Sequence, residues 1–505
     1  MKTYACFLFV CVLIPLGINA QQHPYFSNLY SISADTSNLA NGVAKVGDNY
    51  VVSVGAVNQT NGKEFGGLIL IDEYGEVQWV TNLYTDENTF DIGFNDPLAV
   101  IDSSIYVSGH IRDSITGIDP TLIATNDEGI VEHSTTYAQP YRSNGGALHP
   151  LQDGNLILLG SQDDSTQSSN RPRLMKLSPA GEELWNNIYQ DHNVKTKPWH
   201  ATELSDRNIL IASTVCPGGN CITNRRGQLR KLDEDGNELW VKEYGGGLVQ
   251  PRGQVLQLDE NRLAYAWTID TFHYTTSRNP PRIYFLDLEG EVLSHYTFYG
   301  IQRQLGGIKK MNNGDLVGVG ITKDEGILEW TAWMWRMTAE GELLWERQIR
   351  DTRYLDSSGG FNSYLEDLVE LPDGDILTVG RIGVPGKSYV WVLRTGPNGC
   401  WDADCSEGLM IFTDTKEPTG NQVQAGGLSV YPNPATEMVN VSLLRPLTSI
   451  AKLCIVDMHS RVLHTHHLSA GSSTCKLDVN HLPPGCYTLT LQSTTGRTAR
   501  KLIVR

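Results

Sequence analysis

The chain has 505 residues, with 57 acidic and 40 basic side chains for a net charge of −17, 40% hydrophobic residues, 49 Gly and nine Cys. This profile excludes collagen-like, coiled-coil, disordered and multi-span membrane proteins. The acidic balance also argues against a nucleic-acid or anionic-membrane binder, which needs clustered Lys and Arg. The charge is uneven: Gly426 to Arg505 holds three acids against eight bases, a net of +5, which leaves −23 on residues 21–425. Two bodies of opposite sign are expected to meet near residue 420.

In chain order, the first element is a processing segment. Lys2 is followed by the twelve-residue apolar run Cys6 to Gly17, then Ile18-Asn19-Ala20. The run is too short to span a bilayer, so residues 1–20 read as a cleaved secretory signal peptide. No other stretch is long and apolar enough for a transmembrane helix.

From residue 24 onward one pattern recurs. A turn with Gly and often Trp four residues later appears at Gly75/Trp79, Gly181/Trp185, Gly236/Trp240 and Gly341/Trp345, with weaker copies at Gly129, Gly290 and Gly399. The seven glycines are spaced 54, 52, 55, 54, 51 and 58 residues apart. A second turn, such as Asp153-Gly154 before LILLG, Asn313-Gly314 before LVGVG and Asp373-Gly374 before ILTVG, obeys the same period. Asp-Gly and Asn-Gly turns close β-hairpins, so each unit holds two hairpins and four strands, and no helix signal interrupts them. Seven such units predict an all-β fold, a seven-bladed β-propeller over 21–405. The Trp is expected to pack between blades. The segment 24–33 is expected to supply the outer strand of the last blade, whose own fourth strand weakens after Gly399.

The unit Leu232-Asp233-Glu234-Asp235-Gly236-Asn237-Glu238-Leu239-Trp240 resembles the propeller repeats of the quinoprotein (PQQ-like) superfamily. The resemblance implies architecture alone, because the adjacent Cys-Cys pair that typifies the quinone-dependent members is missing from the sequence. No cofactor is expected.

After an expected linker at 406–425, the last 80 residues carry three blocks: Val430-Tyr431-Pro432-Asn433-Pro434-Ala435, Leu482-Pro483-Pro484-Gly485-Cys486-Tyr487-Thr488-Leu489 and Lys501-Leu502-Ile503-Val504-Arg505. They resemble the type IX (Por) secretion system C-terminal sorting domain of Bacteroidota. Alternating patterns such as Val439-Asn440-Val441-Ser442-Leu443 predict a small antiparallel β-sandwich over 426–505. The resemblance implies recognition by the type IX translocon through Tyr431, Pro432, Asn433, Pro434, Gly485, Tyr487 and Lys501, Leu502, Ile503, Val504 and Arg505. The product is then secreted or held at the outer-membrane surface.

Cysteine usage fits an oxidising destination. Cys216/Cys221 and Cys400/Cys405 each close a short loop and are expected to form local disulfides; zinc-type spacing is absent, and Cys454, Cys475 and Cys486 leave at least one thiol unpaired within the chain. HExxH, Gly-x-Ser-x-Gly, Walker and dinucleotide motifs are all absent, so no catalytic residue is assigned.

Candidate ligand contacts follow from topology, since the loops leading into each innermost strand and those joining second to third strands open on one face. Polar residues there are Asn41, Asp96, Asn144, His200, Arg252 and Glu366; aromatic neighbours include Trp199, His273 and Tyr274. Aromatic surfaces edged by polar groups suit an extracellular polysaccharide or protein ligand. The alternative is a polysaccharide lyase or hydrolase that uses His200, Arg252, His273 or Tyr274 as acid, base or charge stabiliser.

Overall fold

The computed structural model describes residues 25–33, 36–83, 90–92, 98–113, 117–138, 143–163, 170–189, 194–217, 225–247, 251–269, 280–299, 302–323, 330–351, 362–384, 386–401, 409–412, 429–431, 433–443, 447, 450–456, 462–493 and 496–505. Among them there is no helix, and no candidate membrane-spanning helix.

Seven antiparallel sheets follow one another along the chain. Blade one is Thr36–Val46, Asn49–Asn58, Glu64–Ile71 and Val77–Leu83; blade two is Phe90–Ile92 with Leu98–Ile101, then Ser104–Asp113, Gly117–Thr125 and Val131–Thr136. Blade three is Ser143–Pro150, Leu156–Asp163, Asn170–Leu177 and Glu183–Ile188; blade four is Val194–Glu203, Ile209–Pro217, Arg225–Leu232 and Glu238–Gly247. Blade five is Pro251–Gln257, Arg262–Ile269, Arg282–Asp287 and Val292–Thr297; blade six is Gln302–Lys310, Leu316–Lys323, Thr331–Met337 and Leu343–Asp351. Blade seven takes Asn362–Glu370, Ile376–Val384 and Lys387–Thr395 from one end of the repeat region and Phe26–Tyr30 from the other. The first strands of successive blades touch in an unbroken circuit that returns from blade seven to blade one, so they line the axis of a ring. The protein is a seven-bladed β-propeller.

The repeat's residues explain its joints. At Asp233 the side-chain Oδ1 accepts the N–H groups of Asp235 and Asn237 at 3.1 and 2.7 Å, which forces the chain round through Gly236 at φ +81°. A side chain there would also meet Trp185 and Asn187 of the preceding blade, so glycine serves both the turn and the joint. An outer-strand hydroxyl of one blade donates to the turn-glycine carbonyl of the next: Tyr30 to Gly75 at 2.6 Å, Thr81 to Gly129 at 2.8 Å, Tyr137 to Gly181 at 2.9 Å, Tyr189 to Gly236 at 2.7 Å and Tyr244 to Gly290 at 2.7 Å. Burial pushes the Tyr189 phenol up to about 12, so it remains a donor at any physiological pH.

Closure is held by more than a strand ladder. Ser27 Oγ donates to Asp351 Oδ2 at 2.6 Å and accepts Trp391 Nε1 at 2.8 Å, and all three residues are buried. Arg394, also buried, bonds Asp375 on its own blade at 2.9 Å and the Glu73 carbonyl of blade one at 2.7 Å. Such pairs cost desolvation, but breaking one strands a buried charge, at about 3–5 kcal/mol.

The acidic turns make stability pH-dependent. Burial pushes the Asp153 carboxyl up, but hydrogen bonds from Lys176 and Asn155 outweigh it and hold the group below its ordinary value. A depressed carboxylate contributes stability that is present above its unfolded pKa and is lost as pH falls through the folded one. Asp375 has the opposite sign: burial raises it despite the Arg394 bond, so its ionised form opposes folding at neutral pH. In thermal melts from pH 6 to 2.5, Asp153→Asn is expected to be destabilised at pH 6 and to approach the parent as pH falls below the ordinary carboxylate value of about 3.9. A constant difference across that range would rule this out.

The expected linker at 406–425 needs correction. Leu409–Phe412 adds a fifth strand to blade six, parallel to Leu343–Asp351. An outermost strand exposes a row of unpaired backbone groups, and this segment covers them.

The C-terminal residues form a three-stranded sheet (Ser429–Tyr431, Met438–Ser442, Thr474–Asp478) and a four-stranded one (Val462–Leu468, Ala451–Val456, Gly485–Ser493, Gly496–Val504). Val439, Val441, Leu453, Ile455, Leu489 and Leu502 meet in a shared core between them.

Candidate functional site

Each hairpin turn of the repeat lies at one end of the ring, and the longer connections open at the other. Most charged turn residues, Asp72, Asp153, Asp233, Asp287 and Asp373 among them, therefore lie at the turn end. The described candidate ligand contacts, Asn41, Asn144, Trp199, His200, Arg252 and Glu366, lie on the innermost strands, which begin at the other end.

Three of them share one structural position. Asn41, Trp199 and Glu366 are the extra residues of β-bulges in the innermost strands of blades one, four and seven, where the register steps across Ala40/Gly42, Pro198/His200 and Leu365/Asp367. Blades three and six step at Gly145/Leu148 and Leu305/Ile308. The recurring glycine at the end of the second strand has its cause here. A Cβ on Gly380 would lie 1.9 Å from the Tyr364 carbonyl oxygen, and one on Gly320 would lie 2.0 Å from that of Gln304. The carbonyl before the bulge leans across the second strand, and only glycine leaves room for it.

Blade five inverts this arrangement. Its innermost strand pairs without a register shift, and Gly253 stands opposite Trp267, so the glycine sits on the first strand and the bulky residue on the second. Trp267 and Tyr265 then reach across to blade four. A Cβ on Gly227 would lie 2.4 Å from the Tyr265 hydroxyl and 2.7 Å from Trp267 Nε1, and one on Gly245 would meet the Trp267 ring at 2.6 Å. Tyr265 Oη and Trp267 Nε1 are buried with no hydrogen-bond partner among the described residues. Burial holds the Tyr265 phenol well above its ordinary range, with the neighbouring Tyr244 and Tyr284 acting in the same direction, so both groups are available as donors.

The loop end of this seam is cationic. Lys197 is opposite Thr214, which is opposite Gly227, and Lys195 is opposite Cys216; residues paired in this way share a sheet face, the one turned toward blade five. Arg225 and Arg226 open the third strand of blade four, and Arg226 pairs with Glu243 at 2.8 Å. Arg252 lies opposite Thr268 in blade five, and Arg282 opens that blade's third strand, its Nη1 3.4 Å from the Tyr284 hydroxyl.

Two candidates prove to have structural contacts. Trp199 is 5% exposed: its Nε1 donates to Thr214 Oγ1 at 2.6 Å and the Lys197 ammonium lies 4.1 Å from its ring centre, so it offers no bare aromatic platform. The bulge swings it onto its own blade. His200 is buried, and its Nδ1 accepts the Val255 N–H of blade five at 3.4 Å. It belongs to a belt of inter-blade acceptors with His149, which takes Glu203 N–H, Gln254, which takes Ile308 N–H, and Asp367, which takes Val43 N–H. Asn41 is buried, with its Nδ2 unpartnered among the described residues. Glu366 is half-buried beside blade six, whose Gly306 and Gly307 admit its backbone. Asn144 and Arg252 are placed by their strands only, and Asp96, His273 and Tyr274 lie outside the described residues. Sequence reasoning missed Lys195, Lys197, Arg225, Tyr265, Trp267 and Gly253. The available signal was the substitution of Trp267 where the other second strands carry Gly or Ser.

Cys216 and Cys400 are buried, while Cys221 and Cys405 lie outside the described residues. Cys454 and Cys475 are free thiols.

In the C-terminal sandwich the sorting blocks come together. Asn433 Oδ1 accepts Ile503 N–H at 2.7 Å, Ala435 N–H donates to the Ile503 carbonyl at 2.8 Å, and the Tyr487 hydroxyl donates to the Pro483 carbonyl at 2.6 Å. Leu502 and Val504 are buried. Gly485 and Lys501 lie on the paired strands of the four-stranded sheet, Tyr431 on the three-stranded one; Asn433 precedes Pro434 through a cis peptide, and Pro432 is outside the described residues. Arg500 reaches Glu76 of blade one at 3.0 Å and Arg505 reaches Glu128 of blade two at 2.5 Å, so the basic domain touches the acidic turn end.

Comparison with curated proteins returned no match. Among solved structures, the chain is similar to the β-propeller domain of the Trilobed protease from Pyrococcus furiosus, at 9% identity, covering 72% of this chain and 95% of that one, TM-score 0.41. It is similar also to the Dos1 propeller (12% identity, 72% and 95% covered, TM-score 0.41) and to a polysaccharide lyase of family PL25, an ulvan lyase (8% identity, 74% and 97% covered, TM-score 0.48). Residues 429–505 match the family model described as the secretion system C-terminal sorting domain. The chain is thus a β-propeller carrying a C-terminal sorting domain of that family, which directs it through the type IX system to secretion or attachment at the cell surface.

Proposed function

We propose that the propeller is a ligand-binding module displayed or released outside the cell, and that its ligand is taken at the loop end of the blade four to blade five seam. The observation that carries this reading is the inversion at Gly253 and Trp267, the one blade among the described residues where the first strand lacks a bulge and the second carries a bulky residue in place of a small one, beside a group of cations and two buried donors. Places where a repeat breaks its own packing rule are where function is expected. An extracellular glycan or protein suits the position, and turnover of a polysaccharide at the same mouth is the alternative outcome. Binding screens of the full chain against glycans and surface proteins, alongside assays for new reducing ends or unsaturated uronate, test it. A ligand retained equally by the parent and by Lys195→Glu would move the site elsewhere.

The repeats are of the quinoprotein-like type in a protein of Bacteroidota; residues 1–20 are a signal peptide, 21–405 the propeller and 426–505 the sorting domain. Deleting 426–505 is then expected to trap the propeller in the periplasm, measured by cell fractionation. Unchanged surface or medium levels would reject the assignment. The disulfides are Cys216 with Cys221 and Cys400 with Cys405; non-reducing peptide mapping is expected to recover both linked pairs.

A further inference from the structure

We infer that the ligand taken at the seam of blades four and five is an anionic polysaccharide, one bearing uronate carboxylates or sulfate esters. The inference rests on the proposed location of the site and adds its chemistry. A chain whose residues 21–425 carry −23 shows the reverse sign here: Lys195, Lys197, Arg225 and Arg282 lie on the strand faces that adjoin across the seam, and Arg226 and Arg252 open strands of the same two blades from the other faces, against Glu243 among the described residues.

The neutral groups point the same way. Trp267 Nε1 can only donate, and the Tyr265 hydroxyl, kept protonated by burial, is a donor as well; both lie buried and unpartnered among the described residues where Gly227 brings blade four closest. A set composed of donors and cations favours a ligand rich in acceptor oxygens, and charge-assisted bonds are about twice as strong as neutral ones. A sugar chain is favoured over an acidic protein by spacing and surface. Repeated charges suit cations spread over several strand ends, and Tyr299, 81% exposed just past the outer strand of blade five, presents a bare aromatic ring at the same end. The turn end, by contrast, is acidic and repels such a chain, so the field of the ring orients its approach.

The test uses the purified full chain and four probes: polygalacturonate, dextran sulfate, dextran and laminarin, measured by biolayer interferometry from 20 to 300 mM salt. Expected are binding of one or both polyanions that weakens steeply with salt, no binding of the neutral glucans, and a loss of about tenfold or more in Lys195→Glu and Lys197→Glu. Lys45→Glu, an exposed site at the turn end with the same change in net charge, is expected to bind as the parent does. The polyanion that binds separates carboxylate from sulfate recognition. Equal losses in Lys45→Glu and Lys195→Glu would reduce the effect to overall charge and overturn the inference. Neutral glucan binding lost in Lys195→Glu, with polyanions ignored, would overturn it while leaving the proposed site standing. An acidic surface protein captured in place of any saccharide would overturn it also. No ligand at all would remove both.

Discussion

Gly380→Ala is expected to destabilise the propeller by about 4 kcal/mol or more, enough to lower its melting temperature by roughly ten degrees or to abolish soluble expression. The added Cβ would sit 1.9 Å from the Tyr364 carbonyl oxygen and 2.7 Å from Leu365 Cα. Both are backbone atoms, so no side chain can swing away and the bulge carrying Glu366 must shift. That shift propagates, because Asp367 beside it accepts the Val43 N–H across the ring closure at 3.0 Å and lies 3.3 Å from the Lys309 ammonium of blade six. The comparison is Gly386→Ala, where φ is +75° but nothing lies within 4 Å of the added carbon. There the cost is the left-handed backbone alone, about 1–2 kcal/mol. Differential scanning calorimetry of the two variants decides the matter; equal melting temperatures would show that close approach of backbone does not govern the bulges.

Removing Phe26–Tyr30 is expected to have a comparable or larger effect of a different kind. Those five residues pair from Phe26 with Arg394 to Tyr30 with Val390, and without them the strand Lys387–Thr395 becomes a bare edge. Leu29 and Tyr30 are buried, each contributing about 1.5–3 kcal/mol of apolar burial. The truncation would also leave Trp391 Nε1 and Asp351 without Ser27, and the Gly75 carbonyl without the Tyr30 hydroxyl. An exposed hydrophobic edge recruits other chains. Size-exclusion chromatography with light scattering should therefore find oligomers and aggregate in place of monomer-sized material. The single change Ser27→Ala keeps the strand while removing its central hydrogen bonds and should fall between the two. A truncated chain that stays monodisperse with an unchanged melting temperature would mean that the ladder of blade seven contributes nothing to closure.

Much of the architecture was legible because its causes are local. A Gly at positive φ three residues after an Asp, Asn, Ser or Thr whose side chain accepts a backbone N–H is a property of five consecutive residues, and the recurrence of that Gly at about 54 residues counts the blades. The seven turn glycines all take φ between +72° and +91°. The sorting domain was legible for the same reason: short blocks such as Tyr431-Pro432-Asn433-Pro434 and Lys501-Leu502-Ile503-Val504-Arg505 retain their order in the chain, and the family match covers them.

The candidate site was legible only in part. Chain position alone put Asn41, His200 and Glu366 at the entries to the innermost strands and Trp199 on the same loops, yet which residue becomes the bulge, and which way it turns, depends on the strand beside it and on the next blade. Trp199 is turned onto Thr214 and capped by Lys197, and His200 is engaged by a backbone N–H 55 residues away. Such contacts are set by the rotation between adjoining sheets, which no local pattern encodes. The exchange of Gly253 and Trp267 was visible as letters, but it acquires meaning only when the register sets the two residues opposite each other. The amino-acid sequence by itself determined the number of blades, the turn chemistry and the export label, because each is written in short-range residue order. Only the tertiary structure decided how the ring is stapled, which carbonyl demands each glycine, and where cations and unpartnered donors converge. Those depend on pairs of residues about 50 to 350 positions apart being forced into contact by closure of the ring.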